Sequence, residues 1–199
     1  GDVGSGKTLV ALSAILNLVE ENKQAVLMSP TDLLSVQHYE FIKNITDGLK
    51  INISLLTSKL KNSDKEKILQ KIASGETSII VGTHSLISDS VEFFKLGIAV
   101  IDEQHKFGVK QRKKLSDKGG KNCDILVMSA TPIPRTMIMT VFGDMDTSII
   151  KNKPKNRKEI KTYSKLENKI DEVIKFIKNQ INLQNQVFWV CPLIEESKK

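Results

Sequence analysis

Apolar positions along the chain follow two different spacings. Residues 8–22 put Leu9, Leu12, Ile15, Leu16 and Val19 three and four apart, the spacing of one helix face. AVLMS at 25–29 is apolar almost throughout and reads as a buried strand. Residues 32–46 return to helical spacing, and INISLLT at 51–57 alternates as a strand does. Ser63 and Asp64 are candidate caps of a helix running to about Ala73, with Gly75 as its stop. SIIVGT at 78–83, IAVID at 98–102 and DILVMS at 124–129 are three more apolar strands. Strands apolar on both faces, separated by helices, predict a doubly wound α/β domain: a parallel sheet covered on both sides.

Pro154, set among Lys and Asn, marks a boundary. The reading is a first domain over 1–150, a basic linker at 151–158 and the start of a second α/β domain at 159–199. That second part is expected to hold a strand at 159–164 and a helix carrying Ile170, Val173, Ile174, Ile177 and Ile181. A strand over QVFWVCPLI, 186–194, would follow, with Trp189 in its core.

Composition narrows the class. The 199 residues carry a formal net charge of +7, and 40% are hydrophobic. That is ordinary globular material, not a collagen-like or wholly disordered chain. No apolar run reaches the ~20 residues of a membrane span. Two cysteines, Cys123 and Cys191, cannot build a disulfide framework, and they are read as plain thiols in a reducing cytoplasm. Of the 30 basic residues 27 are Lys, and Lys, Asn and Ile make up 62 positions. All three have A/T-rich codons, so codon drift alone explains much of the Lys. The distribution says more: residues 1–150 are nearly neutral, while 151–199 hold 12 basic and 6 acidic side chains. A solvated linker and a phosphate-facing hinge both fit that run.

GDVGSGKT at residues 1–8 fits G-x-x-x-x-G-K-[ST]. Its glycines let the backbone wrap a phosphate, and the helix that follows adds the positive end of its dipole. Lys7 would reach the β- and γ-phosphates, and the Thr8 hydroxyl would ligate Mg²⁺. Such a loop is fed by a strand. With Gly1 first in the chain, that strand is expected to be missing from the centre of the sheet. Two neighbours would then be unpaired, and residues 1–199 alone poorly soluble or partly unfolded. IAVIDEQH at 98–105 ends an apolar strand in two carboxylates, at the sheet edge where α/β ligands bind. Asp102 suits a Mg²⁺ role, Glu103 suits orienting and deprotonating a water, and Gln104 and His105 would sense the γ-phosphate. Ser129 and Thr131 of SAT offer small hydroxyls to the acidic pair; a plain strand-to-turn signal is the alternative.

GDVGSGKT, SPTDLL with Gln37-His38, VGTHSLI, DEQHKFGVKQR and MSATPIPRT, in that order, resemble a superfamily 2 helicase. DEQHKFGVKQR and ATPIPRT are similar to two bacterial families, RecG and the transcription-repair coupling factor. Ser5, Gln104 and the late WVCPLIEES resemble the first, and the likeness covers essentially the whole chain.

That resemblance implies a RecA-like, P-loop NTPase sheet, incomplete at both ends, in an ATP-driven translocase that remodels branched DNA such as stalled forks. It implies Gly1, Gly4, Ser5, Gly6, Lys7 and Thr8 on the triphosphate. Asp102 and Glu103 fall on Mg²⁺ and the catalytic water, and Gln104, His105, Ser129 and Thr131 couple hydrolysis to movement. Sequence-independent DNA contacts fall on Pro30, Thr31, Gln37, Gly82, Thr83 and His84, with an exposed helix face the plainer reading of Gln37 and His38. Arg135 is assigned a structural or domain-interface contact, because the family's arginine fingers lie beyond residue 199. The fragment alone is expected to hydrolyse ATP hardly at all. A cytoplasmic monomer with no membrane contact completes the reading. Two alternatives remain: the coupling factor, told apart by its upstream sequence, and a remnant of a split gene.

Overall fold

A computed structural model describes residues 1–103, 106–131, 145–152 and 160–190. The chain divides into two compact units, Gly1–Lys155 and Asn156–Lys199.

In the first unit, helix α1 (Lys7–Glu20) leads to strand β1 (Gln24–Met28), helix α2 (Asp32–Ile45) and strand β2 (Ile53–Leu56). Helix α3 (Asn62–Ala73), strand β3 (Ile79–Gly82), a 3-10 turn (His84–Ile87) and strand β4 (Leu96–Ile101) follow, then helix α4 (Val109–Gly119) and strand β5 (Asp124–Val127). All strand pairs are parallel, in the order β2-β3-β1-β4-β5.

The period of two along each strand explains both layers. Ala25 and Leu27, Ile79 and Val81, and Ile98 and Val100 point to one face, under Ala11, Leu12 and Ile15 of α1 and Ile42 of α2. Val26 and Met28, Ile80, and Ala99 and Ile101 point to the other, under Ile72 of α3 and Leu115 of α4. Both faces are dry, so β1, β3 and β4 are buried throughout.

Two expectations need correction here. Among the described residues the sheet has no central gap: β3, β1 and β4 are each paired on both sides, and β2 and β5 lie at its ends. A strand that feeds the phosphate loop is therefore not needed to hold these five together. Ser63 and Asp64 do not cap α3; the N-cap position is Lys61, without a side-chain bond, and Asp64 instead sits in the first turn, where its charge suits the dipole. Gly75 does stop that region, at φ +81°. Helix α4 lies where the sequence reading placed no element, because the mostly charged VKQRKKLSDKG offers no apolar period.

Gln24 shows why β1 starts where it does. Its buried amide donates to the Ile72 and Thr77 carbonyls at 2.9 and 2.8 Å. Its oxygen accepts from the Phe94 and Lys95 backbone at 2.7 and 3.2 Å. One side chain thus ties together the segments entering β3 and β4.

The second unit presents helix α5 (Ile170–Asn182) after a 3-10 turn (Glu167–Lys169). No strand forms over 160–164 or 186–190 among the described residues, and Trp189 is 54% exposed rather than in a core. A strand is fixed by the ladder beside it, and the described part of this unit supplies one helix and no sheet. Residues 159 and 191–194, with Cys191, lie outside the described residues, as does Arg135.

Candidate nucleotide site

Strand register builds the site before any side chain is considered. Met28 aligns with Gly82 and with Ile101, Leu56 with Gly82, and Ile101 with Val127. The strands therefore end level at one rim. Ser29–Pro30–Thr31, Thr83–His84, Asp102–Glu103 and Met128–Ser129 all leave the sheet there, at the carboxyl ends, where open α/β sheets bind ligands.

The phosphate loop lies at the same rim, with the Gly1 nitrogen 3.4 Å from the Ser129 carbonyl oxygen. Gly4 (φ +77°) and Gly6 (φ +93°) take left-handed backbone that turns the loop's N–H groups to one side. Gly6 is also the N-cap of α1, with no side-chain cap. The first N–H groups of that helix are left for a ligand. Lys7 Nζ donates to the carbonyls of Gly1 and Asp2, at 2.8 and 2.9 Å, and so lies across the loop. Ser5 Oγ is buried with no partner among the described residues. An uncapped helix end, an orphaned hydroxyl and a lysine held only by carbonyls suit a polyphosphate. Thr8 is half-buried in the first turn of α1.

Asp102 is buried at the end of β4, and its backbone N–H donates to Met28 at 2.9 Å. One carboxylate oxygen accepts the Glu103 N–H at 2.9 Å, and the other pairs with His38 Nε2 at 2.9 Å. Glu103 has φ +48°, an unfavourable conformation for a residue with a Cβ. An aspartate with both oxygens held, ahead of a strained glutamate, is a donor set suited to a hard divalent cation.

Ser129 Oγ and Thr131 Oγ1 lie 3.1 Å apart, and Ser129 Oγ also takes the Thr131 N–H at 3.2 Å. An open cleft of about 580 Å³ brings the segments together, lined by Pro30, Thr31, Leu34, Glu103, Lys106, Ala130 and Thr131. Leu34 and Lys106 had not been singled out in the sequence.

The remaining candidates separate. Gln37 is exposed on α2 and His84 is exposed at its turn, as a contact residue needs. His38, for which an exposed helix face was the alternative reading, is turned inward to Asp102. Thr83 is only 2% exposed, so what it can offer is backbone. Gly82 is explained by packing: a Cβ there would collide with the Leu56 carbonyl oxygen. Phe107 is buried in the core under α4. Gln104 and His105 lie outside the described residues.

The sequence model of the DEAD/DEAH box helicase family matches residues 1–140. The chain belongs to that family. Within this helicase family, it is 45% identical over 199 residues to the ATP-dependent DNA helicase RecG of Bacillus subtilis. It is 48% identical over 199 residues to RecG of Borreliella burgdorferi. Each match takes in 100% of this chain but 29% of the relative, so the chain spans just over a quarter of those helicases. A solved structure of RecG bound to a three-way DNA junction is similar at TM-score 0.78 and 41% identity, over 98% of this chain and 26% of that one. T. fusca Cas3 with ATP matches 68% of this chain and 18% of its own at TM-score 0.52 and 13% identity, which shows the fold alone. Among the described residues, no helix is long and apolar enough to cross a membrane.

Proposed function

We propose that this chain is the nucleotide-binding motor segment of an ATP-dependent helicase that remodels branched DNA. One observation carries the reading: the phosphate loop, the acidic pair and the Ser129–Thr131 pair meet at one rim of a single parallel sheet.

In this reading the N–H groups of Gly4, Ser5, Gly6 and Lys7 cradle the β-phosphate. Lys7 leaves the carbonyls of Gly1 and Asp2 for phosphate oxygens, a stronger charge-assisted partner. Thr8 and Asp102 would hold Mg²⁺, which supplies neutralisation of the charge shared by the transferring and leaving oxygens. Glu103, bordering the cleft, orients the attacking water and accepts its proton. Ser129 and Thr131, with Gln104 and His105, pass the phosphate state towards the DNA. Pro30, Thr31, Gln37 and His84, with backbone groups of Gly82 and Thr83, face the DNA phosphates without reading bases. His84 also borders a second open cleft, with Lys65 and Lys114 near it, which supports a phosphate-facing surface.

The test is made on the complete protein. Lys7→Ala is expected to weaken nucleotide binding, and Glu103→Gln to spare binding while lowering branched-DNA-stimulated turnover roughly 100-fold or more. Wild-type turnover from Glu103→Gln would remove Glu103 from the chemistry. Undiminished binding by Lys7→Ala would remove the nucleotide site altogether. The chain of 199 residues alone is expected to show no branch-stimulated turnover, since it spans so little of its relatives.

A further inference from the structure

We propose that His38 is a positioning residue for the Asp102 carboxylate, a fixed strut from helix α2 to the acidic end of β4. The inference rests on the nucleotide-site reading above.

The strut follows from parity and phase. Ile98 and Val100 point to the α1/α2 face, so Asp102, two residues on, points there as well. Helix α2 is fastened at that same rim by its first turn. Ser35 Oγ donates to the Thr31 carbonyl at 3.2 Å and shares a 3.1 Å hydrogen bond with Ser29 Oγ at the end of β1. Ser29 and Ser35 are wholly buried, and the Ser29 N–H donates to Gly82 at 2.9 Å. The Thr31 hydroxyl adds a cap by accepting the Leu34 N–H at 3.3 Å. His38 lies three residues beyond Ser35, on the same side of the helix. Its ring therefore has a defined place to reach from.

The contact is short and sheltered. His38 Nε2 and Asp102 Oδ2 are 2.9 Å apart, with each side chain 12% exposed. The Glu103 N–H takes Oδ1. A carboxylate alone turns easily about its last torsion, which has broad wells. Held at both oxygens, it keeps one plane. Roughly four lone-pair sites are available on such a group, so two bonds leave others directed outward for a metal or its water. A partner that orients a metal-binding carboxylate in this way commonly matters about 10–100-fold in metal affinity or activity.

A purely structural role would predict something else: a loss of stability, equal with and without metal. The experiment separates the two. In the complete protein, equilibrium binding of a fluorescent ATP analogue is measured across a Mg²⁺ titration and again in EDTA, with thermal unfolding in parallel. Three variants are compared: His38→Ala, His38→Gln, which keeps an N–H donor, and His38→Asn, whose donor is set back. The expected result is an apparent Mg²⁺ requirement raised roughly 10–100-fold in His38→Ala and His38→Asn. Binding in EDTA should stay unchanged, and His38→Gln should recover most of the loss. An unaltered Mg²⁺ requirement overturns the proposal, as does equal loss in EDTA or a His38→Gln no better than His38→Asn. If His38→Ala fails to fold, the Gln and Asn pair still decides. Failure of the nucleotide site itself would show separately, as undiminished binding in Lys7→Ala.

Discussion

Helices α4 and α5 reverse what their sequences advertise. VKQRKKLSDKG of α4 is mostly charged, yet Leu115 is completely buried against the sheet. IDEVIKFIKNQIN of α5 repeats apolar residues at helical spacing, yet none of them is buried. The difference lies in what stands opposite. Helix α4 returns from β4 to β5 and lies over the face formed by Ala99 and Ile101. For α5, no described element of its own unit covers Ile170, Ile174 or Ile181. Periodicity tells which face of a helix prefers burial; topology decides whether a few residues or many are needed to hold it.

The strongest test of that contrast is a pair of truncations in this chain. Leu115→Ala removes a fully buried side chain and should cost roughly 2–5 kcal/mol, as large-to-small core changes do. Ile181→Ala removes one that is 53% exposed. It should change stability by no more than about 0.5 kcal/mol, with Ala's better helix propensity offsetting lost contacts. Urea unfolding followed by circular dichroism measures both. Equal losses would mean that α5 is packed as firmly as α4, and the contrast would fail.

The same contrast explains which parts were legible in the sequence. All five strands of the first unit were legible to within two residues of their ends: four as apolar runs, because a buried parallel strand needs no phase, and β2 by its alternation. The phosphate loop and the acidic pair were legible because their chemistry demands fixed residue types at fixed spacing. Helix α4 was not, since a single leucine gives no period. The strand expected around Trp189 came from apolar composition, and composition does not supply a partner ladder. His38 was missed for a related reason. Turning it towards Asp102 requires the parity of β4, the phase of α2 and the order β3-β1-β4 together, and only the first two can be read locally.

A smaller effect sharpens the contrast through lysines. Lys118 of α4 donates to the Val91 carbonyl at 2.7 Å, and burial holds its pKa below the usual lysine range. Lys118→Met should cost about 1–2 kcal/mol, because the carbonyl of a buried residue loses its donor. Lys165 pairs with Glu172 of α5 at 2.7 Å on an exposed surface. Lys165→Ala should cost well under about 1 kcal/mol, the usual worth of exposed pairs. If salt up to molar concentration reduced the stability contributed by Lys118 as readily as that by Lys165, Lys118 would be a surface charge and not an anchor.

The mildest expectation concerns the end of α4, where Cys123 packs against Gly119. Burial, then the charge of Asp124, pushes its thiol up to about 11 from an ordinary value of 9.0. The folded thiol keeps its proton where the unfolded thiol has lost it. The unfolded state therefore binds fewer protons between about pH 9 and pH 11, and stability falls as pH rises through that window. The thiolate is the reactive form, so alkylation of Cys123 at pH 8.5 should run on the order of 100-fold slower than in the urea-unfolded chain. Site-resolved mass spectrometry after timed iodoacetamide treatment gives both rates. A folded-state rate with its inflection near pH 9 would show a solvated thiol and a frayed end to α4. The tight seat inferred from Leu115 would then stop short of the turn into β5, and α4 would differ from α5 over only its first two turns.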